Sequence, residues 1–245
     1  MITVGEGMRA RMDAQGDHPV YGHEQGSNED GSAYETCWGM KGLYISSNAS
    51  GNWENVGPFF FSTSARGRIP PRPIDIRWVG SPNFWPGRPS GPPIAIVVHT
   101  MAGSLKGTDG WFNNPENQES SAHFGVGLNG EVHQYVKVTD RAWANGILEA
   151  GHRWFGPSGV NPNDVTVSIE TEDLNNPNQA VTDEQWASVT SVAQTIAARY
   201  PNSIKYVTSH SVISPSSRAQ CCGQRWIGTG RLAALADQLG LELRV

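Results

Sequence analysis

Ile94-Ala95-Ile96-Val97-Val98-His99 is an uninterrupted apolar run that ends in an imidazole. Five apolar residues in a row leave no polar face. That pattern belongs to a strand buried on both sides, as in a parallel sheet covered by helices. Further on, Phe124 to Leu128, the pair Asn129-Gly130, and Glu131 to Val138 read as a β-hairpin, since Asn-Gly tolerates the positive φ of a tight turn. Thr108 to Phe112 reads as a short helix, and Val165 to Thr171 as a strand. Thr182 is placed to cap a helix, with Gln185 in capping-box position. Trp186, Val189, Ala193, Ile196, Ala197 and Tyr200 recur at helical spacing behind it, and Pro201 stops the run. Tyr206 to Ser209 reads as another strand and Arg231 to Leu239 as a last helix. Strands interleaved with helices predict an α/β domain with a mixed central sheet flanked by helices.

Upstream of this region the pattern changes. Eight of the sixteen prolines lie between Gly67 and Pro93. Their fixed φ and missing N–H exclude helix and central strand, so residues 67–93 read as an extended arm. A strand-like stretch from Ile74 to Val79 could dock on the domain that follows. Residues 1–66 form an N-terminal extension or small β module with eight acidic and four basic residues. Tyr21, Tyr34, Trp38, Tyr44, Trp53 and Phe59-Phe60-Phe61 are spread through it. Residues 94–245 are the main domain, with its docking segment from about Ile74.

Composition excludes several classes. The 245 residues are 38% hydrophobic and 17% charged, with a net charge of −5; mean hydropathy is −0.42. These values fit neither a disordered chain nor a membrane-inserted one. Without a basic tract, nucleic acid is not expected as a partner. The first residues lack the apolar stretch of a signal peptide, so synthesis in the cytoplasm and no ordinary secretion are expected. A monomer is the expected state. Three cysteines, Cys37, Cys221 and Cys222, are an odd number, which argues for reactivity or metal binding over a disulfide framework.

Two histidines end strands: His99 after the apolar run, and His210 after Tyr206 to Ser209. Cys221 follows eleven residues later in a loop. Two imidazoles and a thiolate would give zinc three protein ligands and leave a fourth position open. Taken singly, a histidine at a strand end is ordinarily a hydrogen-bonded residue and a buried cysteine an inert one.

The surrounding segments run IVVHTMAG, SAHFGVGLNGEVHQYVKVTDRAWANG, VTVSIETED and SHSVISPSSRAQCCG, in this order. Together they resemble the zinc-dependent N-acetylmuramoyl-L-alanine amidases of type 2, whose fold is shared with peptidoglycan recognition proteins and which include many phage lysins. The likeness extends from about Ile74 to the C-terminus. It implies a zinc amidase catalytic domain holding one Zn2+ through His99, His210 and Cys221. Cys222 is the alternative thiol, because the gap from His210 is longer than in most members that use cysteine.

By the same resemblance Glu170 matches the carboxylate that shuttles a proton to the leaving nitrogen, with Glu172 as the alternative. Ala122 stands where some members have a tyrosine, which favours the glutamate. His123 would contact the substrate or the reacting water, or else be a packed, hydrogen-bonded residue. Arg218 is the nearest cation to the place where many relatives carry an oxyanion-stabilising lysine. Asp140, Arg141, Trp143 and Asn145 fall in a segment resembling the family's Arg-Ala-Trp-His-Ala-Gly loop. Trp143 would stack on substrate or be core, and Asn145, read in place of the histidine, would alter peptide contacts. The implied activity is cleavage of the amide between N-acetylmuramic acid and L-alanine in bacterial peptidoglycan, as in a phage or prophage endolysin that acts once the membrane is opened. A non-catalytic peptidoglycan-binding protein and a zinc peptidase cutting the stem peptide are the rival readings.

Overall fold

The computed structural model describes residues 74–245 in full, and the backbone of three strands before them. The chain divides into two compact units, Met1–Gly67 and Arg68–Val245. In the first, β1 (His23–Ser27), β2 (Ala33–Cys37) and β3 (Leu43–Ser46) form an antiparallel meander. The aromatic side chains noted there lie outside the described residues.

The second unit is built on a seven-stranded sheet. Its strands are β4 (Ile76–Trp78), β6 (Ala95–Thr100), β7 (Phe124–Val126), β8 (Val132–Gln134), β10 (Thr166–Thr171), β11 (Tyr206–Ser209) and β12 (Glu242–Arg244), in the spatial order 12-11-6-10-7-8-4. A separate ribbon pairs β5 (Phe84–Trp85) with β9 (Arg141–Ala142). From β12 across to β7 the strands are parallel; β8 runs antiparallel to β7, and β4 parallel to β8. Three helices flank the sheet: α1 (Leu105–Phe112), α2 (Asp183–Arg199) and α3 (Arg231–Leu239). Among the described residues, no helix is long and apolar enough to cross a membrane.

Alternation along the strands gives the sheet two unlike faces. Ile96 and Val98 of β6, Phe124 and Val126 of β7, Val167 and Ile169 of β10, and Val207 of β11 join Val189, Ala193 and Ile196 of α2 and Leu232, Leu235 and Leu239 of α3 in one core. The intervening residues, among them Thr166, Ser168 and Glu170 on β10 and His99 on β6, face the other way. The chemistry is therefore on the side away from α2 and α3.

Local signals act as the sequence suggests, with three differences. α1 starts at Leu105 instead of Thr108, because Ser104 accepts the Gly107 N–H at 3.0 Å and caps it. The hairpin strands stop at Val126 and resume at Val132, and Gly130 takes φ +82° in the connecting loop. Thr182 does cap α2 by accepting the Gln185 N–H at 3.1 Å. The Gln185 side chain does not complete a capping box, however. It turns inward, donating to the carbonyls of Val126 and Glu172 and accepting from Arg225.

The described part of the proline-rich stretch is packed into this unit. β4 extends the sheet at β8, and the Asn83 amide donates to the carbonyls of Asn117 and Ser120. Arg88 is inserted among the carbonyls of Val138, Asp164 and Thr166, at 2.8, 2.8 and 3.0 Å. Burial lowers this guanidinium to about 10, so it remains charged at neutral pH.

Candidate active site

Three parallel strands deliver three of the site's side chains at their carboxyl ends. His99 lies near the end of β6, Glu170 is its register partner on β10, and His210 follows Ser209, the partner of Val98. Ligand sites in parallel sheets gather at these ends, where the strands give way to loops. Cys221 arrives from a loop that is fixed at two points. Its Sγ accepts the Thr100 N–H at 3.4 Å, and its carbonyl accepts the Ser211 N–H at 3.0 Å.

One donor atom each from His99, His210 and Cys221 lies within 4.8 Å of the others, and all three residues are buried. The His99 and His210 rings are 4.6 Å apart between centroids. Burial and then the His210 charge hold the His99 imidazolium well below its usual range, and burial holds His210 down to about 4. Both rings are thus neutral, the form that binds metal. Burial and then the Glu170 charge push the Cys221 thiol up to about 12. The Thr100 N–H and the Arg218 charge act in favour of the thiolate, and a coordinated metal would add a cation directly at the sulfur. Two neutral imidazoles and one thiol with an open side suit zinc in its catalytic arrangement. Cys222 belongs to the apolar core instead.

Glu170 lies beside this cluster, with Oε1 3.7 Å from His99 Nδ1 and 14% of its side chain exposed. Its Oε2 is buried without a hydrogen-bond partner. Burial, reinforced by Asp173, raises its carboxyl to about 8. A carboxyl so poised can take and return a proton near neutral pH. Glu172 has no such freedom, because its two oxygens accept the N–H groups of Leu105 and Leu128.

The cluster floors a cavity of about 1140 Å³ lined by Trp111, Trp143, Ile147, Glu170 and Arg218, among others. Trp143 packs against Trp85 with ring centroids 5.4 Å apart and planes tilted by 50°, and forms part of this wall. Arg218 is exposed on the rim, and its charge acts on His99, His210, Cys221 and Glu170.

Two expected contacts are not made. His123 is absent from the cavity wall, because it lies level with Ser168, two residues before Glu170 and so about 7 Å down the strand. It is packed there, with Nδ1 accepting the Ser168 N–H at 3.1 Å and Nε2 lying 3.1 Å from the Asp140 carbonyl and 3.0 Å from the Arg88 guanidinium. Asn145 is fully buried and also absent from the wall. Counted along Arg141-Ala142-Trp143-Ala144-Asn145-Gly146, the family's histidine position is Ala144. Asn145 stands at the alanine that follows it.

Sequence reasoning did not single out Trp111, half exposed on the cavity wall. Its position one residue before the buried Phe112, at the outer side of a short helix, was the available signal. Glu149 accepts the N–H groups of Ser216 and Ser217 and so holds the loop that carries Arg218. No motif marks it.

The family model described as N-acetylmuramoyl-L-alanine amidase matches residues 89–224, more than half of the chain. The chain belongs to this family of enzymes. It is 27% identical to the 1,6-anhydro-N-acetylmuramyl-L-alanine amidase AmpD of Enterobacter cloacae over 162 residues, 59% of this chain and 82% of that protein. It is 33% identical to the protein of the same name from Haemophilus influenzae over 99 residues, 40% of this chain and half of that one. A crystal structure of a selenomethionine derivative of AmpD superposes with a TM-score of 0.53 at 27% identity, covering 65% of this chain and 93% of that structure.

Proposed function

We propose that the chain is a zinc-dependent amidase that hydrolyses the bond between N-acetylmuramic acid and L-alanine in bacterial peptidoglycan. The observation that carries this reading is the convergence of His99, His210 and Cys221 beside a partnerless Glu170 oxygen on a cavity floor. When bound, zinc supplies a Lewis acid for the amide carbonyl and lowers the pKa of water to near 7. His99, His210 and Cys221 hold it. Glu170 takes the proton of the attacking water and gives it to the leaving nitrogen. Arg218 on the rim stabilises the oxyanion as the carbonyl becomes tetrahedral, and Trp143 lines the groove that receives the muramyl-peptide. A binding protein needs neither an open metal site nor a free proton carrier, so Glu170 favours an enzyme. The biological setting within the same proposal is a phage or prophage lysin.

Digestion of purified sacculi with and without a chelator tests this. New L-alanine amino termini, without new reducing ends and only in the absence of chelator, are expected. Amino groups freed on other stem residues would show a peptidase, and no release would show a binding protein.

A further inference from the structure

The aromatic wall of the cavity does not stop at its rim. Trp143 lines the cavity, while Trp85, packed against it, lies outside the lining. Trp85 and its neighbour Phe84 are 40% and 37% exposed, although their backbone pairs with Arg141 and Ala142. Trp111, on the cavity wall, is 50% exposed. Hydrogen bonds lace these rings to one side of the cavity. Ser81 Oγ donates to the Phe112 carbonyl at 2.8 Å and the Asn113 amide to the Gly80 carbonyl at 3.1 Å, so the segment leading to Phe84 follows the end of α1. Ser120 Oγ accepts the Trp111 Nε1 proton at 3.0 Å, and the next residue, Ser121, accepts the Trp143 N–H at 2.9 Å. The helix under Trp111 is fixed in turn. Asp109 accepts the Tyr135 hydroxyl at 2.8 Å and lies 2.8 Å from His133 Nδ1.

Rigid indole planes with polar groups between them suit a saccharide. The C–H face of a pyranose packs on a ring while its hydroxyls reach polar neighbours, here Glu119 and Ser120. The part of the wall built from Glu149, Ser216, Ser217 and Arg218 is unlike this, offering charges and hydroxyls to a charged peptide. A bond joining a sugar to a peptide thus meets two unlike surfaces. We infer that Trp111, Trp143, Trp85 and Phe84 form a track for the glycan strand, with the muramyl residue held in the cavity by Trp111 and Trp143 and the adjoining sugars lying over Trp85 and Phe84. The inference rests on the amidase reading above and names its substrate class: glycan strands longer than one disaccharide. Trp85 and Phe84 are then specificity residues outside the reacting centre.

The test compares two soluble substrates with the same stem peptide, a single N-acetylmuramyl-peptide and uncrosslinked strands of several disaccharides, with KM expressed per amide bond. Full-length wild type should show the lower KM on strands. Trp85→Ala should raise the KM on strands about tenfold, as expected of a truncated interface tryptophan, and leave kcat and the single-sugar KM unchanged. Trp111→Ala should raise KM on both substrates. An equal change on both substrates in Trp85→Ala, or none on either, would overturn the inference while leaving the amidase reading intact. A wild type that cleaves neither substrate would overturn both. Should Trp85→Ala not fold, peptide-free glycan strands are added to wild type cleaving the single-sugar substrate. Competitive inhibition is then required, and its absence refutes the track.

Discussion

Glu170 and Glu172 stand two residues apart at the end of β10, and only Glu172 has hydrogen bonds to both carboxylate oxygens. It ties Leu105, the first residue of α1, to Leu128 in the hairpin loop, at 3.1 and 2.8 Å. Glu170 has one oxygen near His99 and the other without a partner. One carboxylate joins the elements around the cavity, while the other remains available to what enters it.

This division predicts opposite phenotypes. Glu170→Gln should keep fold and zinc content and lower turnover on a soluble muropeptide by about 10²–10⁴-fold, the usual contribution of a positioned acid–base group. Glu172→Gln weakens one or both of the amide contacts. It should lower unfolding stability by about 1.5–3 kcal/mol, the value of a hydrogen bond to a charged group, with a much smaller effect on turnover. Near-wild-type turnover in Glu170→Gln would remove it from the mechanism.

The adjacent thiols should separate as cleanly. Cys221→Ser should lose most bound zinc, whereas Cys222→Ser should retain about one zinc per chain and lose stability from its place in the core. Because binding to the folded state adds to stability, chelation should lower the melting temperature of wild type and barely change that of Cys221→Ser. Metal analysis of the two purified variants is the deciding measurement. Retained zinc in Cys221→Ser would point to a different ligand set.

Acid should act through His123 as well as through the His99 and His210 imidazoles. Burial, and next the Arg88 charge, hold its pKa at about 3 against 6.5 for an unfolded histidine. Between these values the unfolded chain binds a proton that the folded chain refuses. The contribution of His123 is therefore complete above about pH 6.5 and declines as pH falls towards 3, by up to about 1.4 kcal/mol per pH unit. His123→Gln should flatten the slope of stability against pH between 6.5 and 4, as followed by urea unfolding. Equal slopes would show that the ring already carries its proton when folded.

Residues 68–245 should fold without the first unit. The contact division falls after Gly67, and the described residues from Ile74 onward pack within the second unit. The truncated protein should bind zinc and cleave small muropeptides at rates within a few-fold of the full chain. Insoluble or zinc-free protein would mean that residues 1–67 complete the domain.

The parts of the fold legible in the sequence are those with strong periodicity. The apolar run before His99, the strand ending at Thr171, and both long helices are dictated by burial patterns that admit one arrangement. His99, His210 and Cys221 were legible because each ends a strand or sits in a loop with a recognisable neighbourhood. The place of His123 was not, since it depends on which residue of β10 it faces, and pairing register between distant strands leaves no mark on either strand alone. Arg88 was equally silent. A single arginine among prolines reads as linker, and its buried carbonyl partners come from three separate loops and strand ends. Asn145 differs again: the only polar side chain between Trp143 and Gly146 invites alignment with the family's histidine, whereas the residue count sets Ala144 there and Asn145 in a fully buried place.

The two ties on Cys221 have an evolutionary consequence. Both are made by residues next in sequence to the other two members of the cluster, Thr100 after His99 and Ser211 after His210. Between Ser211 and Cys221 the chain is pinned again where Glu149 receives the N–H groups of Ser216 and Ser217. What hangs free of these fastenings is the exposed side-chain surface of Arg218 to Gln220. A lineage can repaint this wall of the groove by substitution there, while insertions would have to leave the Glu149 fastening and the Cys221 end in place.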